Sequence, residues 1–170
     1  MGIVWCDGKF VPEAEFKVSP MDRGLCHGLS LFETLLAVNG KPRLLPQHLD
    51  RLRTGLERLG VKSVRLDGDG LEKAIADLLD RNGLSTGMAR VRITLSFGEG
   101  PLDRIDNGAA WAWMTVSPVD SNQSSVRMTL APWRRDKESD CLLKTQERAK
   151  SQDDVYALTP ARCRKVTGNG

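Results

Sequence analysis

Apolar and polar positions change period several times along the chain, and each change marks an element. Residues 3–6 and 9–11 are short apolar runs on either side of Asp7-Gly8. Both turn residues tolerate positive φ, so the pattern predicts a tight β-hairpin. A second hairpin is predicted from residues 31–38 and 42–44, joined by Asn39-Gly40. Between the hairpins, Ser19-Pro20-Met21-Asp22-Arg23-Gly24 is dense in turn formers and reads as a loop. Pro46 opens a helix, where its missing N–H costs nothing. Leu45, Leu49, Leu52, Leu56 and Leu59 then recur at helical spacing on one face, and Gly60 ends the run. A second helix is predicted over 71–81, with Leu71, Ala74, Ile75, Leu78 and Leu79 as its buried stripe and Asn82-Gly83 as its stop.

Three strands are predicted after the helices, over 89–97, 109–117 and 125–130. In the first, Ala89, Val91, Ile93 and Leu95 alternate with Arg90, Arg92, Thr94 and Ser96. In the second, the same period of two puts Trp111 and Trp113 on one face. The tryptophans are expected in the core rather than stacked on a ligand. Hairpin, hairpin, helix, helix and strands make an α+β fold, with two helices on one face of an antiparallel sheet. Apolar periodicity fades after Trp133, and residues 145–154 hold a single apolar residue, Ala149. The expected division is a small N-terminal domain over 1–120, a linker or start of a second domain over 121–132, and an incomplete C-terminal segment over 133–170.

Charge changes this picture at one end only. Residues 133–170 hold nine Lys/Arg and six Asp/Glu, which accounts for the whole net charge of +3. Such a tail is a possible nucleic-acid contact. With only Trp133 and Tyr156 as aromatics, it reads better as a solvated segment, and no nucleic-acid partner is expected. No apolar run approaches the ~18 residues of a membrane span, so no membrane partner is expected and the expected compartment is the cytoplasm. Cys6, Cys26, Cys141 and Cys163 form no CxxC pair and only two histidines exist, so no metal site is expected and the thiols are expected free.

The run Met21-Asp22-Arg23-Gly24-Leu25-Cys26-His27-Gly28-Leu29-Ser30-Leu31-Phe32-Glu33-Thr34 resembles the signature of the class IV aminotransferases. Val38-Asn39-Gly40-Lys41-Pro42 and Leu44-Leu45-Pro46-Gln47-His48-Leu49-Asp50-Arg51-Leu52 continue the resemblance in order. So do residues 89–98 and Leu142-Leu143-Lys144-Thr145. The family includes aminodeoxychorismate lyases and D-amino-acid and branched-chain aminotransferases. Its members hold pyridoxal 5′-phosphate between a small and a larger domain and act as dimers.

The resemblance therefore implies an enzyme that binds pyridoxal 5′-phosphate, with an amino acid or aminodeoxychorismate as substrate and a homodimer as assembly. It makes Lys144 the catalytic lysine that forms the Schiff base, which requires a sheltered pocket that keeps the amine neutral. It makes Arg51 the contact to the cofactor phosphate, a role suited to a guanidinium fork. Arg92 falls on the substrate side near a carboxylate, and Phe32 lies on the strand that lines the site. His27 stands near the substrate, where an aromatic residue is usual in the family, and adds a titratable group. Leu29-Ser30 replaces the more usual Asp-Gly. The motifs around Phe32 and His48 lie nearer the lyases and D-amino-acid transaminases than the branched-chain enzymes, and the lyase is the favoured reading.

Blander readings stand beside these. Without the resemblance, Lys144 is one lysine in a basic tail and Arg51 a helix-surface cation. Arg90 and Arg92 are then the solvated side of a half-buried strand. His48 is expected to cap or pack near the first turn of its helix, and Arg23 to make a surface or inter-subunit contact. Residues 146–170 are expected to be a truncated or out-of-register ending. The competing function is a non-catalytic fragment of such an enzyme; a more distant one is a nucleic-acid-binding module using the basic tail.

Overall fold

A computed structural model describes residues 2–119. The predicted strand over 125–130, the divisions at 121–132 and 133–170, and Lys144, Cys141 and Cys163 lie outside the described residues.

The first hairpin pairs β1 (Ile3–Cys6) with β2 (Lys9–Pro12). Asp7 and Gly8 both take positive φ, 43° and 87°, as the predicted turn requires. The second pairs β3 (Ser30–Val38) with β4 (Lys41–Pro42), and Asn39 and Gly40 are again left-handed. The β4 arm is shorter than expected. Leu44 leaves it at φ 54° and becomes the N-cap of the helix α2 (Leu45–Arg58). A second long helix, α3 (Gly68–Arg81), starts three residues before the predicted point and stops at Asn82-Gly83, with Gly83 left-handed. The strands β5 (Met88–Ser96) and β6 (Trp111–Pro118) complete the described chain.

All strands join one antiparallel sheet in the order β2-β1-β6-β5-β3-β4. The leucine stripe of α2 and the apolar stripe of α3 lie on one face of it. Leu45, Leu49, Leu52 and Leu56 meet Leu71, Ile75, Leu78 and Leu79 there, over Leu31, Leu35, Val91, Ile93 and Leu95. Each fully buried leucine contributes roughly 1.5–3 kcal/mol. The α+β plan and the placement of both helices on one face hold as predicted.

Three expectations give way. Residues 23–27 are a short helix, α1 (Arg23–His27), rather than loop. The Asp22 carboxylate caps it by accepting from the Gly24 and Leu25 amides, at 2.8 and 3.2 Å. Second, the polar side of β5 is not simply solvated, since Thr94 and Ser96 are as buried as the core. Third, Trp111 and Trp113 are half-buried outside the core cluster. Their rings lie 4.5 Å apart and both meet Phe16 at just under 6 Å. They share the Ser96 and Thr94 side of the sheet by register, opposite the long helices. Trp5 does pack against the core.

Candidate functional site

In β3, Leu31, Glu33 and Leu35 alternate onto the helix side, so a carboxylate enters the core register between two leucines. A charge placed there must find partners, and α2 supplies them. Arg51 donates to Glu33 from Nε to Oε1 at 3.0 Å and from Nη2 to Oε2 at 2.7 Å. His48 Nδ1 lies 2.6 Å from the same Oε2. The two bonds from Arg51 favour an ionised Glu33, so the proton of this contact is assigned to Nδ1, with His48 as donor. The 2.8 Å approach of Arg51 Nη2 to His48 Nδ1 is then two donors sharing one acceptor, not a bond between them. His48 and Arg51 are three residues apart, hence on one helical face. One turn on, a Cβ at Gly55 would lie 2.9 Å from Leu31 Cδ1, so glycine lets α2 approach β3 this closely.

Glu33 is fully buried and Arg51 half-exposed. The hydrogen bond to Glu33 raises the Arg51 pKa above its ordinary value, so the guanidinium is held charged. Its Nη1 has no hydrogen-bond partner among the described residues. His48 was expected to cap or pack; it is instead the second donor to Glu33.

On the opposite face of the sheet, the Arg92 guanidinium lies 3.9 Å from the centre of the Phe32 ring. The guanidinium–ring attraction is worth about 0.5–2 kcal/mol. Burial pushes the Arg92 pKa down from its ordinary value. Thr34 and Thr115 flank Arg92 in register. The structure thus brings Phe32 and Arg92 together and joins Arg51 to Glu33 and His48, with β3 as the wall between the two groups. His27 is in neither. It is exposed at the end of α1, where Gly28 closes the helix at φ 69°.

The Asp22-Arg23 pair is buried, which corrects the expected surface or inter-subunit role of Arg23. Arg23 Nε donates to Gly98 O, Nη1 to Pro101 O and Arg104 O, and Nη2 to Phe97 O, Ile105 O and Asn107 Oδ1. Asp22 also accepts from Ser96 Oγ at 2.5 Å and from Trp111 Nε1 at 2.8 Å. This knot holds the loop between β5 and β6 at the edge of the Trp111–Trp113 face. The sequence carried a signal for Glu33, an acid in register with core leucines. It carried none for Arg23, whose acceptors, five backbone carbonyls and Asn107 Oδ1, lie more than seventy residues away.

A cavity of about 500 Å³ opens elsewhere, between the β1–β2 turn, residues 63–67 and α3, with Trp5, Phe10 and Leu71 in its walls. None of His27, Phe32, Arg51 and Arg92 lines it. Among the described residues, no helix is long and apolar enough to cross a membrane.

The family model for amino-transferase class IV matches residues 30–166. The aminodeoxychorismate lyase of Bacillus subtilis is 32% identical over 96 residues, which are 56% of this chain and 32% of that protein. The branched-chain aminotransferase of Thermoproteus uzoniensis, solved with norvaline, superposes with a TM-score of 0.69 at 24% identity, over 85% of this chain and 51% of that one. A hypothetical aminotransferase of Mycobacterium tuberculosis in its PLP-bound form gives 0.58 at 25% identity, over 70% and 40%. The chain spans about a third of the length of the curated relative.

Proposed function

This chain belongs to the amino-transferase class IV family, and on that premise we propose that it forms part of a pyridoxal-phosphate enzyme acting on amino-acid-type substrates. The observation that carries the reading is the Arg51 guanidinium. Glu33 holds it by two nitrogens and leaves Nη1 without a hydrogen-bond partner among the described residues, in a group that is half-exposed. A guanidinium fixed in place and permanently charged suits a phosphate at its remaining N–H groups. The residues present therefore fit the cofactor's phosphate, with Arg51 as its ligand and Glu33 and His48 as the residues that orient it. Lys144, outside the described residues, is the lysine assigned to cofactor attachment. When bound, the cofactor supplies an electron sink for bond breaking at the carbon that bears the amino group.

The chain's own residues do the rest. Arg92, desolvated over Phe32, binds a substrate carboxylate, and the ring excludes water on one side of the guanidinium. The Asp22-Arg23 knot positions the loop beside this face. His27, exposed at the end of α1, is assigned to the substrate side, where its ring can meet a bound acid. The assembly we propose is a homodimer.

The finer reading is an aminodeoxychorismate lyase, which releases pyruvate and leaves 4-aminobenzoate. Its support is the likeness to the Bacillus subtilis protein of that name. Transamination is the second reading, and the likeness to the Mycobacterium tuberculosis aminotransferase favours it. The test offers the protein and pyridoxal phosphate either aminodeoxychorismate or an amino acid with a 2-oxo acid. Release of 4-aminobenzoate supports the lyase, and amino transfer without it supports the transaminase. Absence of both, together with no visible absorption band at saturating cofactor, refutes the enzyme reading for this chain.

A further inference from the structure

The cavity of about 500 Å³ exists because small residues face one another. Its floor is the helix side of β1, β2 and β6, where Trp5 pairs with Phe10 and with Met114, and Ala112 pairs with Leu95. Its roof is the edge of α3, where Gly70 and Ala74 stand one turn apart. The nearest atoms that a Cβ on Gly70 would meet belong to the Asp67 side chain, not to the sheet. Glycine and alanine thus leave unfilled a gap that larger side chains would close. Trp5, Phe10 and Leu66 pack on the core yet are only half-buried, and all three line this gap. Apolar, aromatic-walled spaces of about 300–1,000 Å³ are the usual size of small-molecule sites.

Charge lies along one edge of the opening. Lys73, Asp77 and Arg81 follow one another every fourth residue on α3, so they form a row with a step of about 6 Å. Arg81 is engaged by the sheet: its guanidinium lies 4.3 Å from the centre of the Phe10 ring. That contact fixes the row beside the aromatic floor. Lys73 and Asp77 line the cavity, and neither has an ion pair or a hydrogen bond from its side chain among the described residues. Lysine before the acid is the less favourable order for a direct pair on a helix. At the far end Asp7 accepts from the Ala112 amide, and Arg65 and Asp67 add one charge of each sign.

We propose that this cavity is a ligand site for a free aromatic α-amino acid, bound as the zwitterion. The ring lies on Trp5 and Phe10, Lys73 takes the carboxylate and Asp77 the ammonium. A neutral aromatic molecule leaves both side chains without a counter-charge, and an aromatic acid or amine leaves one. The site does not rest on the reading of Arg51 or Arg92, since neither lines it.

The test is calorimetric titration of the whole chain, at saturating pyridoxal phosphate, with N,N-dimethylphenylalanine, 3-phenylpropanoate and N,N-dimethylphenethylamine. The first keeps both charges, and its tertiary amine cannot condense with the cofactor's aldehyde. The other two keep the ring and one charge each. The zwitterion is expected to bind about five-fold more tightly than either, the worth of one partly exposed ion pair. Lys73→Gln is expected to remove its advantage over the amine, and Asp77→Asn its advantage over the acid. Both residues are exposed, so neither change touches the core. Ala74→Leu, which fills the gap, is expected to weaken all three ligands by about ten-fold or more, with the urea midpoint kept. Equal binding of the three ligands, or an advantage that survives both charge variants, overturns the zwitterion site. Binding that Ala74→Leu leaves unchanged puts the ligand outside the cavity and overturns the proposal, as does no binding to the unsubstituted protein.

Discussion

Arg51 grips the buried Glu33 carboxylate with two nitrogens, at 3.0 and 2.7 Å, across the packing seam between α2 and β3. The strand sets where the acid lies, the helix sets where the guanidinium lies, and the pair fixes the direction of the remaining donor. Glu33→Gln keeps the shape, loses the charge, and turns an NH₂ group toward one of two donors. It is expected to weaken pyridoxal-phosphate binding about five- to ten-fold and to destabilise the fold by about 1–3 kcal/mol. Arg51→Lys, which cannot make the fork, is expected to weaken cofactor binding more with less loss of stability. Fluorescence titration with the cofactor and urea unfolding measure the two effects. Unchanged affinity in Glu33→Gln would reduce Glu33 to a packing residue.

Arg23 tests a different part of the frame. Its removal takes a donor from five backbone carbonyls between Phe97 and Ile105, of which Gly98 O keeps the residue-23 amide and Ile105 O keeps the Asn107 amide. Arg23→Leu is therefore expected to cost about 3–5 kcal/mol. Arg23→Lys should recover less than half of that, because one ammonium has three donors and no planar fork. Urea denaturation of both variants reads the difference. A loss below about 1 kcal/mol in Arg23→Leu would mean that the loop finds its donors elsewhere.

The two described cysteines should react unequally. Cys6 is partly buried, and burial pushes its thiol pKa up, with Asp7 adding to the shift. Cys26 is exposed on α1. At pH 8, iodoacetamide should label Cys26 well before Cys6, since only the thiolate attacks. Timed quenching and peptide mass mapping give the order. Equal rates would contradict the burial of the β1 end.

Asp106 ties the segment after α2 to the loop after β5. It accepts from the Lys62 amide at 2.9 Å and from Ser63 Oγ at 2.5 Å. These bonds, the Ser63 hydroxyl first, hold its pKa below the ordinary 3.8. With the folded value depressed, the link is present above the unfolded pKa and lost as pH falls through the folded one. The stability difference between the protein and Asp106→Asn should therefore be constant from pH 7 to about 5 and shrink below about 4. Urea midpoints across that range measure it; a difference that grows on acidification would contradict the assignment.

Most of the fold was legible because local chemistry announces it. Asp7-Gly8 and Asn39-Gly40 can hardly be anything but hairpin turns, and the leucines of α2 leave one face to bury. The helix α1 was not legible. It is five residues long, has no stripe of its own, and exists because Asp22 and Arg23 are bonded to residues far along the chain. The same long-range bonding buries Ser96 on what reads as the polar side of β5. At the candidate site, Arg51, Phe32 and Arg92 could be named from motif order. What could not be read was that β3 separates Arg51 from the other two, or that His48 and Glu33 hold Arg51. Strand register and helix phase decide that together, and neither is visible in one segment alone.

The enzyme reading comes down to where the cofactor attaches. The protein is incubated with pyridoxal phosphate, trapped with borohydride, digested and mapped by mass spectrometry. A single pyridoxyl group on Lys144, lost in Lys144→Ala and reduced in Arg51→Lys, is the predicted result. A label scattered over surface lysines, or no label at all, would contradict the assignment of this chain to pyridoxal-phosphate catalysis.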